Sequence, residues 1–170
     1  MMIKEAIGLV ASGVSLTAAQ AEQVMHEIMS GEATPAQLGA FLTALKIKGE
    51  TVDEITGFAR TMRDNALSVK TDGPVLDIVG TGGDGSGTMN ISTCAAFIAA
   101  AAGLTVAKHG NRAMSSKCGS ADVLEYLGVK IDLDAGQVEE CLREVGISFM
   151  FAQVFHPAMK YAAAPRREIG

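Results

Sequence analysis

No acidic residue stands between Asp84 and Asp122, in a chain whose formal charge is −5 overall. That gap removes the carboxylates that would repel an anion from the segment. Tryptophan is absent and aromatics make up only 5% of the residues, against 19 glycines, so close approach of backbones, more than large rings, must fill the interior. Cysteine is scarce as well. Cys94, Cys118 and Cys141 are odd in number and form no C-x-x-C pair, which speaks against a disulfide framework or a structural zinc site and points to a reducing, cytoplasmic compartment. The most apolar run, 94–107, is too short and too rich in Ala and Gly to span a bilayer, and the Met-Met start lacks the basic-then-apolar plan of a signal peptide. A net negative chain also lacks the broad basic face that a nucleic-acid groove requires, which leaves small anions as the expected ligands.

With 170 residues, 48% of them hydrophobic and 19% charged, the chain can bury a core and make one ordinary domain, or one small and one incomplete domain. Its first third is helical by period and by punctuation. Ala21, Val24, Met25 and Ile28, then Leu38, Phe41, Leu42 and Leu45, then Ile55, Phe58, Ala59 and Met62 each mark one apolar stripe. Each of these segments opens with a Thr three residues before Gln or Glu: Thr17 with Gln20, Thr34 with Gln37 and Pro35 between them, and Thr51 with Glu54. That is the capping-box pattern, and with the segment around Ile3, Ile7 and Val10 it predicts four helices in a domain spanning 1–66. The segments share nothing beyond their caps, so they are not a repeat.

Turn chemistry at Thr71-Asp72-Gly73-Pro74 leads into a second domain, 67–170. The pattern there predicts a strand at 75–79, a helix at 92–102, a strand at 104–107, helices at 120–127 and 134–145, the latter capped by Asp134 with Gln137, and a strand at 147–150. This order gives an α/β fold with a parallel sheet and crossover helices behind a small helical domain. Three strands with an unpaired edge are expected to expose apolar surface.

The first predicted strand runs into Gly80-Thr81-Gly82-Gly83-Asp84-Gly85-Ser86-Gly87. This formally matches G-x-G-x-x-G, but the helix cannot begin until about Ile91, and Lys108 stands where an acid should hold the ribose of a dinucleotide. It lacks the Gly-Lys-Ser/Thr of a nucleotide-triphosphate loop as well. Lys108-His109-Gly110-Asn111-Arg112 follows the second predicted strand in the same sense, so the two loops should converge on one crevice and receive a phosphorylated ligand. Ser115, Ser116 and Ser120 add hydroxyl donors, and Ser120 opens a helix whose N-terminal dipole favours an anion. Cys118 has no base or orienting partner nearby in sequence, so it does not read as a nucleophile, and His26 reads as surface. Arg166 is a candidate fork for a carboxylate, Arg167 could serve as well, and His156 is a candidate lid residue.

Together these residues resemble the anthranilate phosphoribosyltransferase family. The matching pieces are Gly80-Thr81-Gly82-Gly83-Asp84, Asn90-Ile91-Ser92-Thr93, Lys108-His109-Gly110-Asn111-Arg112, Ser115-Ser116, Gly119-Ser120-Ala121-Asp122, His156-Pro157-Ala158-Met159 and Arg166-Arg167-Glu168-Ile169-Gly170. The resemblance implies transfer of ribose 5-phosphate from 5-phosphoribosyl 1-pyrophosphate to the amino group of anthranilate, in tryptophan biosynthesis. It implies that Gly80, Gly82, Gly83, Asp84, Thr88, Asn90, Ile91, Ser92, Thr93, Lys108, His109, Gly110, Asn111, Arg112, Ala113, Met114, Ser115, Ser116 and Ser120 bind the phosphoribosyl pyrophosphate. Mg²⁺ would be the cofactor, reached by Ser92, and anthranilate would lie against Gly80, His109, Asn111, His156 and Arg166. No covalent nucleophile is required. The family's chains continue past Gly170 to an Asp-Glu pair for a second Mg²⁺, so this chain alone is expected to be a fragment or a short relative with little or no activity. The family pairs two chains through the helical domain, and Leu9, Val10, Leu42 and Leu45 supply apolar residues for such a homodimer. A pyrimidine nucleoside phosphorylase or a non-catalytic nucleic-acid-binding relative on the same fold are the competing readings. The loops at 90–93 and 108–112 disfavour the first and the net charge the second.

Overall fold

The computed structural model describes residues 1–80, 87–113 and 117–169. Met1–Ala66 and the segment from His156 onward form one compact unit, and Leu67–Phe155 form a second.

In the first unit, α1 (Ile3–Ala11), α2 (Ala18–Met29), α3 (Pro35–Lys48) and α4 (Val52–Asp64) are the four helices expected from the caps. The capping boxes form as the spacing dictates. Thr17 Oγ1 accepts the Gln20 N–H at 3.3 Å while Gln20 accepts the Thr17 N–H at 2.9 Å. The corresponding distances at Thr34 and Gln37 are 3.2 and 2.8 Å. Ile3, Val10, Val24, Ile28, Leu38, Phe41 and Leu45 form the core.

The buried face of α4 differs from the expected stripe. Ile55 and Ala59 are exposed, and the residues buried are Glu54, Gly57 and Thr61. The cause is close packing on α2: a Cβ at Gly57 would strike the Ala18 carbonyl and the Ala21 side chain, so only a glycine face lets the two helices approach this closely. Phe58 and Met62 are half-buried at the side of the core, Phe58 edge-on to Phe41 with ring centroids 6.0 Å apart.

Glu54 is fully buried and serves as more than a cap. Its carboxylate accepts the N–H groups of Leu16 at 2.9 Å and Thr51 at 2.8 Å, the Thr51 hydroxyl at 3.1 Å and the Lys48 ammonium at 2.8 Å. The chain from His156 onward adds a short 3₁₀ turn (Pro157–Met159) and a helix, α9 (Lys160–Ile169), which packs on α3 and sends Ala162 into the core. Pro165 lies inside α9, so the sequence pattern did not announce that helix.

The second unit contains α5 (Ile91–Ala101), β1 (Val106–Gly110), α6 (Ser120–Tyr126), α7 (Ala135–Val145), β2 (Ile147–Phe151) and α8 (Ala152–Phe155). β1 and β2 pair in parallel, Val106 opposite Ile147 through Gly110 opposite Phe151. The strand expected at 75–79 is reduced to a single parallel bridge between Leu76 and Val106. The second strand begins two residues later than expected and takes in Lys108, His109 and Gly110, which the sequence pattern places in the following loop. α7 covers one face of the pair through Val138 and Leu142 against Ala107, and α6 covers the other through Ala121 and Leu124 against Phe149 and Phe151. On α5, Ile91, Phe97 and Ile98 are exposed, as are Val75, Leu76 and Val79 on the open side of β1. This is the apolar exposure expected of so narrow a sheet. Among the described residues no helix is long and apolar enough to cross a membrane.

Candidate functional site

The alternation of β1 sends neighbouring basic side chains to opposite faces. Lys108, opposite Phe149, points to the face carrying α5, and His109, opposite Met150, points to the α7 face. Lys108 is only 3% exposed. Its ammonium donates to the Ile78 carbonyl at 2.7 Å and to Ser92 Oγ in the first turn of α5 at 3.4 Å. Burial pushes the Lys108 ammonium below the ordinary lysine range, and the negative charge of Asp77 partly opposes this. Among the described residues no carboxylate lies within ion-pair distance of Lys108. A buried cation held on neutral oxygens keeps its charge available to an incoming anion.

The N-terminus of α5 stands beside that cation. The helices α2, α3, α4 and α7 are closed by Thr or Asp caps, whereas Asn90 at the head of α5 makes no side-chain cap. An open helix start presents backbone N–H groups and the positive end of the helix dipole. Thr93, one turn in, is buried, and its hydroxyl has no partner among the described residues. Ser92 contributes one hard oxygen, which suits an ion such as Mg²⁺ that keeps most of its shell as water and phosphate oxygen. Among the described residues no cluster of three His, Cys, Asp or Glu side chains could hold a metal by itself.

Arg112 has a different setting from Lys108. Its guanidinium forks onto Glu125 at 2.7 and 3.0 Å, reaches Asp122 at 3.1 Å and lies over the Phe151 ring. The Glu125 and Asp122 carboxylates hold Arg112 above even the ordinary arginine range. Asp122 is the centre of this corner: its other oxygen accepts the N–H of Ala113 at 2.9 Å and of Gly119 at 2.8 Å. Those backbone bonds, with Arg112, outweigh desolvation and hold the Asp122 carboxyl below the usual range. The acid that ends the acid-free segment therefore folds back onto it. Gly119 is required there, since a Cβ would run into the backbone of Asn111, Arg112 and Ala113. Gly110 is needed likewise, because a Cβ would meet the Phe149 ring and Ser120.

The remaining candidates divide between the units. Gly80 is exposed at the end of the bridged segment and Thr88 is exposed before α5, while Asn90 and Ile91 begin that helix. Asn111 turns its side-chain oxygen onto the Arg112 N–H at 2.8 Å, and its carbonyl accepts from Ala121. Ser120 is the first residue of α6. His156 and Arg166 belong to the helical unit, His156 beside Met29, Met62 and Met159 and Arg166 exposed on α9. Gly82, Gly83, Asp84, Met114, Ser115 and Ser116 lie outside the described residues. Asp77, whose Oδ1 accepts the His109 N–H at 3.0 Å, and Asp122 are absent from the site residues that the sequence singles out. The available signals were an acid inside an otherwise apolar strand run, and a Gly followed three residues later by Asp at a helix start.

Residues 4–66 match the glycosyl transferase family, helical bundle domain, and residues 72–170 the glycosyl transferase family, a/b domain. The chain is 67% identical over 170 residues to an anthranilate phosphoribosyltransferase of Chloroflexus aurantiacus and 64% identical over 169 residues to one of Dehalococcoides mccartyi. These alignments cover 100% and 99% of the chain and 50% of each relative, so the chain spans about half the length of the curated relatives it matches. The crystal structure of anthranilate phosphoribosyltransferase from Thermus thermophilus superposes with a TM-score of 0.87 at 49% identity, over 97% of this chain and 50% of that one. The Saccharomyces cerevisiae enzyme in complex with PRPP and Mg gives 0.89 at 27% identity, over 99% and 51%. The chain belongs to the glycosyl transferase family that joins a helical bundle domain to an α/β domain, and the relatives named above are anthranilate phosphoribosyltransferases.

Proposed function

We propose that the protein transfers the phosphoribosyl group of 5-phosphoribosyl 1-pyrophosphate to anthranilate. The C1–O bond to pyrophosphate breaks, the C1–N bond to the anthranilate amine forms, and the amine proton leaves to solvent. The observation that carries this reading is the buried Lys108 ammonium, which sits on neutral oxygens beside the uncapped start of α5. As the C1–O bond opens, negative charge accumulates on the pyrophosphate, and fixed N–H groups and a lysine stabilise it more than they stabilise the ground state. Mg²⁺, when bound, supplies further neutralisation of the pyrophosphate oxygens, and Ser92 is the residue that would hold it. Asn111, His109, His156 and Arg166 are the candidates for orienting anthranilate, with Arg166 as the fork for its carboxylate. Tryptophan biosynthesis in the cytoplasm is the setting this implies, and the cysteine pattern supports it.

The full-length protein is expected to consume anthranilate fluorescence only when both 5-phosphoribosyl 1-pyrophosphate and Mg²⁺ are present. No consumption, together with phosphorolysis of a pyrimidine nucleoside, would replace this reading by the phosphorylase one.

We also propose a homodimer through the helical unit. Of the four residues that the sequence offers for this pairing, Val10 and Leu45 are core residues and Leu9 and Leu42 are half-buried. Exposed apolar residues of the unit include instead Ile47, Val52 and Ile55, 82%, 80% and 56% accessible, which lie close together in sequence, with Met2 and Val14 elsewhere. Burying them against a second copy is the favourable disposition. Light scattering of the full-length protein at micromolar concentration should give twice the chain mass in both low and high salt, and a monomer mass would contradict the assignment.

A further inference from the structure

We propose that Asp77 is a positioning residue: its carboxylate takes the His109 N–H in place of a third strand, and so leaves the Ile78 carbonyl to seat the Lys108 ammonium. The argument starts from the parallel ladder. Leu76 donates to the Thr105 carbonyl at 2.9 Å and accepts from the Ala107 N–H at 3.0 Å, a complete rung. One rung on, the Ile78 carbonyl should accept from the His109 N–H. It does not. Asp77 Oδ1 accepts that N–H at 3.0 Å, and the Ile78 carbonyl, released from the ladder, lies 2.7 Å from Lys108 Nζ.

The exchange leaves neither ladder group wanting: the His109 donor and the Ile78 acceptor are both satisfied, each by a side chain. A continued strand would have aimed the same carbonyl along the ladder at the His109 N–H, whereas here it is aimed at the Lys108 ammonium. Strand pairing therefore ends at Leu76, and the lysine is anchored two residues later, at Ile78, just ahead of the segment that begins with Gly80. Asp77 acts through Lys108 and touches no reacting atom.

This rests on the phosphoribosyl-transfer reading only for the identity of the anion, and the test separates the two. Full-length wild-type protein, Asp77→Ala and Asp77→Asn are compared by hydrogen exchange of the His109 amide without ligand, and by calorimetry with 5-phosphoribosyl 1-pyrophosphate and Mg²⁺. The asparagine side-chain oxygen can still accept, so in Asp77→Asn the amide stays protected and affinity remains within about threefold of wild type. In Asp77→Ala the amide is expected to exchange roughly a hundredfold faster and the affinity to fall about tenfold to thirtyfold, the size of a misplaced charge-assisted contact. The KM for anthranilate stays within about twofold, which general loosening of the fold would not allow. A protected His109 amide in Asp77→Ala, unchanged affinity in that variant, or an asparagine variant as impaired as the alanine one each overturns the proposal. Failure of the wild-type protein to bind 5-phosphoribosyl 1-pyrophosphate overturns the substrate assignment instead, while the exchange data still decide whether Asp77 holds His109.

Discussion

Glu54→Ala is expected to destabilise the helical unit by about 3–5 kcal/mol, the cost of breaking a buried ion pair by removing one partner. Glu54 is 0% exposed and the Lys48 side chain 7%, so the ammonium, left with only the neutral Gly49 carbonyl and Ser15 hydroxyl, and the Leu16 and Thr51 N–H groups gain little from solvent. Leu16 precedes α2 and Lys48 ends α3, so one carboxylate ties the starts of α2 and α4 to the end of α3. Glu54→Gln keeps an acceptor for the N–H groups but loses the charge opposite Lys48, and should fall between wild type and alanine.

The same carboxylate makes stability pH-dependent. Burial pushes the Glu54 carboxyl up, yet Lys48, the N–H groups of Leu16 and Thr51 and the Thr51 hydroxyl together hold it below its ordinary value of 4.5. A depressed carboxylate contributes its full stabilisation above the unfolded value and loses it as pH falls through the folded one. Urea unfolding followed by circular dichroism should therefore show a wild-type advantage over Glu54→Gln that is constant from neutral pH down to about 4.5 and shrinks below it. A destabilisation under about 1 kcal/mol in Glu54→Ala would mean that the pair is solvated in practice.

Lys108→Ala is expected to weaken binding of 5-phosphoribosyl 1-pyrophosphate by ~1.5–3 kcal/mol, the usual worth of a charge-assisted contact. The ammonium is buried at the open end of α5 and bears on two neutral oxygens, so its removal deletes a charge rather than a shared ion pair. Arg112→Ala should weaken binding less, because its fork is already engaged by Glu125 and Asp122. Calorimetry on the full-length variants checks both, and unchanged affinity in Lys108→Ala would remove that lysine from the site.

What the sequence determined by itself is what residues three or four positions apart decide. The boxes at Thr17, Thr34, Thr51 and Asp134 start their helices where read, and α5, α6 and α7 fall within a residue or two of their expected limits. Caps and apolar periods are local and do not wait for a partner segment. The parallel α/β order was legible for the same reason, since it follows from the succession of local elements. The tertiary structure alone decided the rest. Gly57 meeting Ala18 chose which face of α4 is buried, against the apolar stripe. Asp77 meeting His109 stopped a run of strand-forming residues at one bridge. Pairing with β2 carried β1 on through Lys108 and His109, whose alternation then parted them, and Asp122 with Glu125 neutralised Arg112 within a segment that reads as uniformly basic. Each of these outcomes depends on which distant groups are brought within hydrogen-bonding or van der Waals reach, and no local pattern encodes that distance.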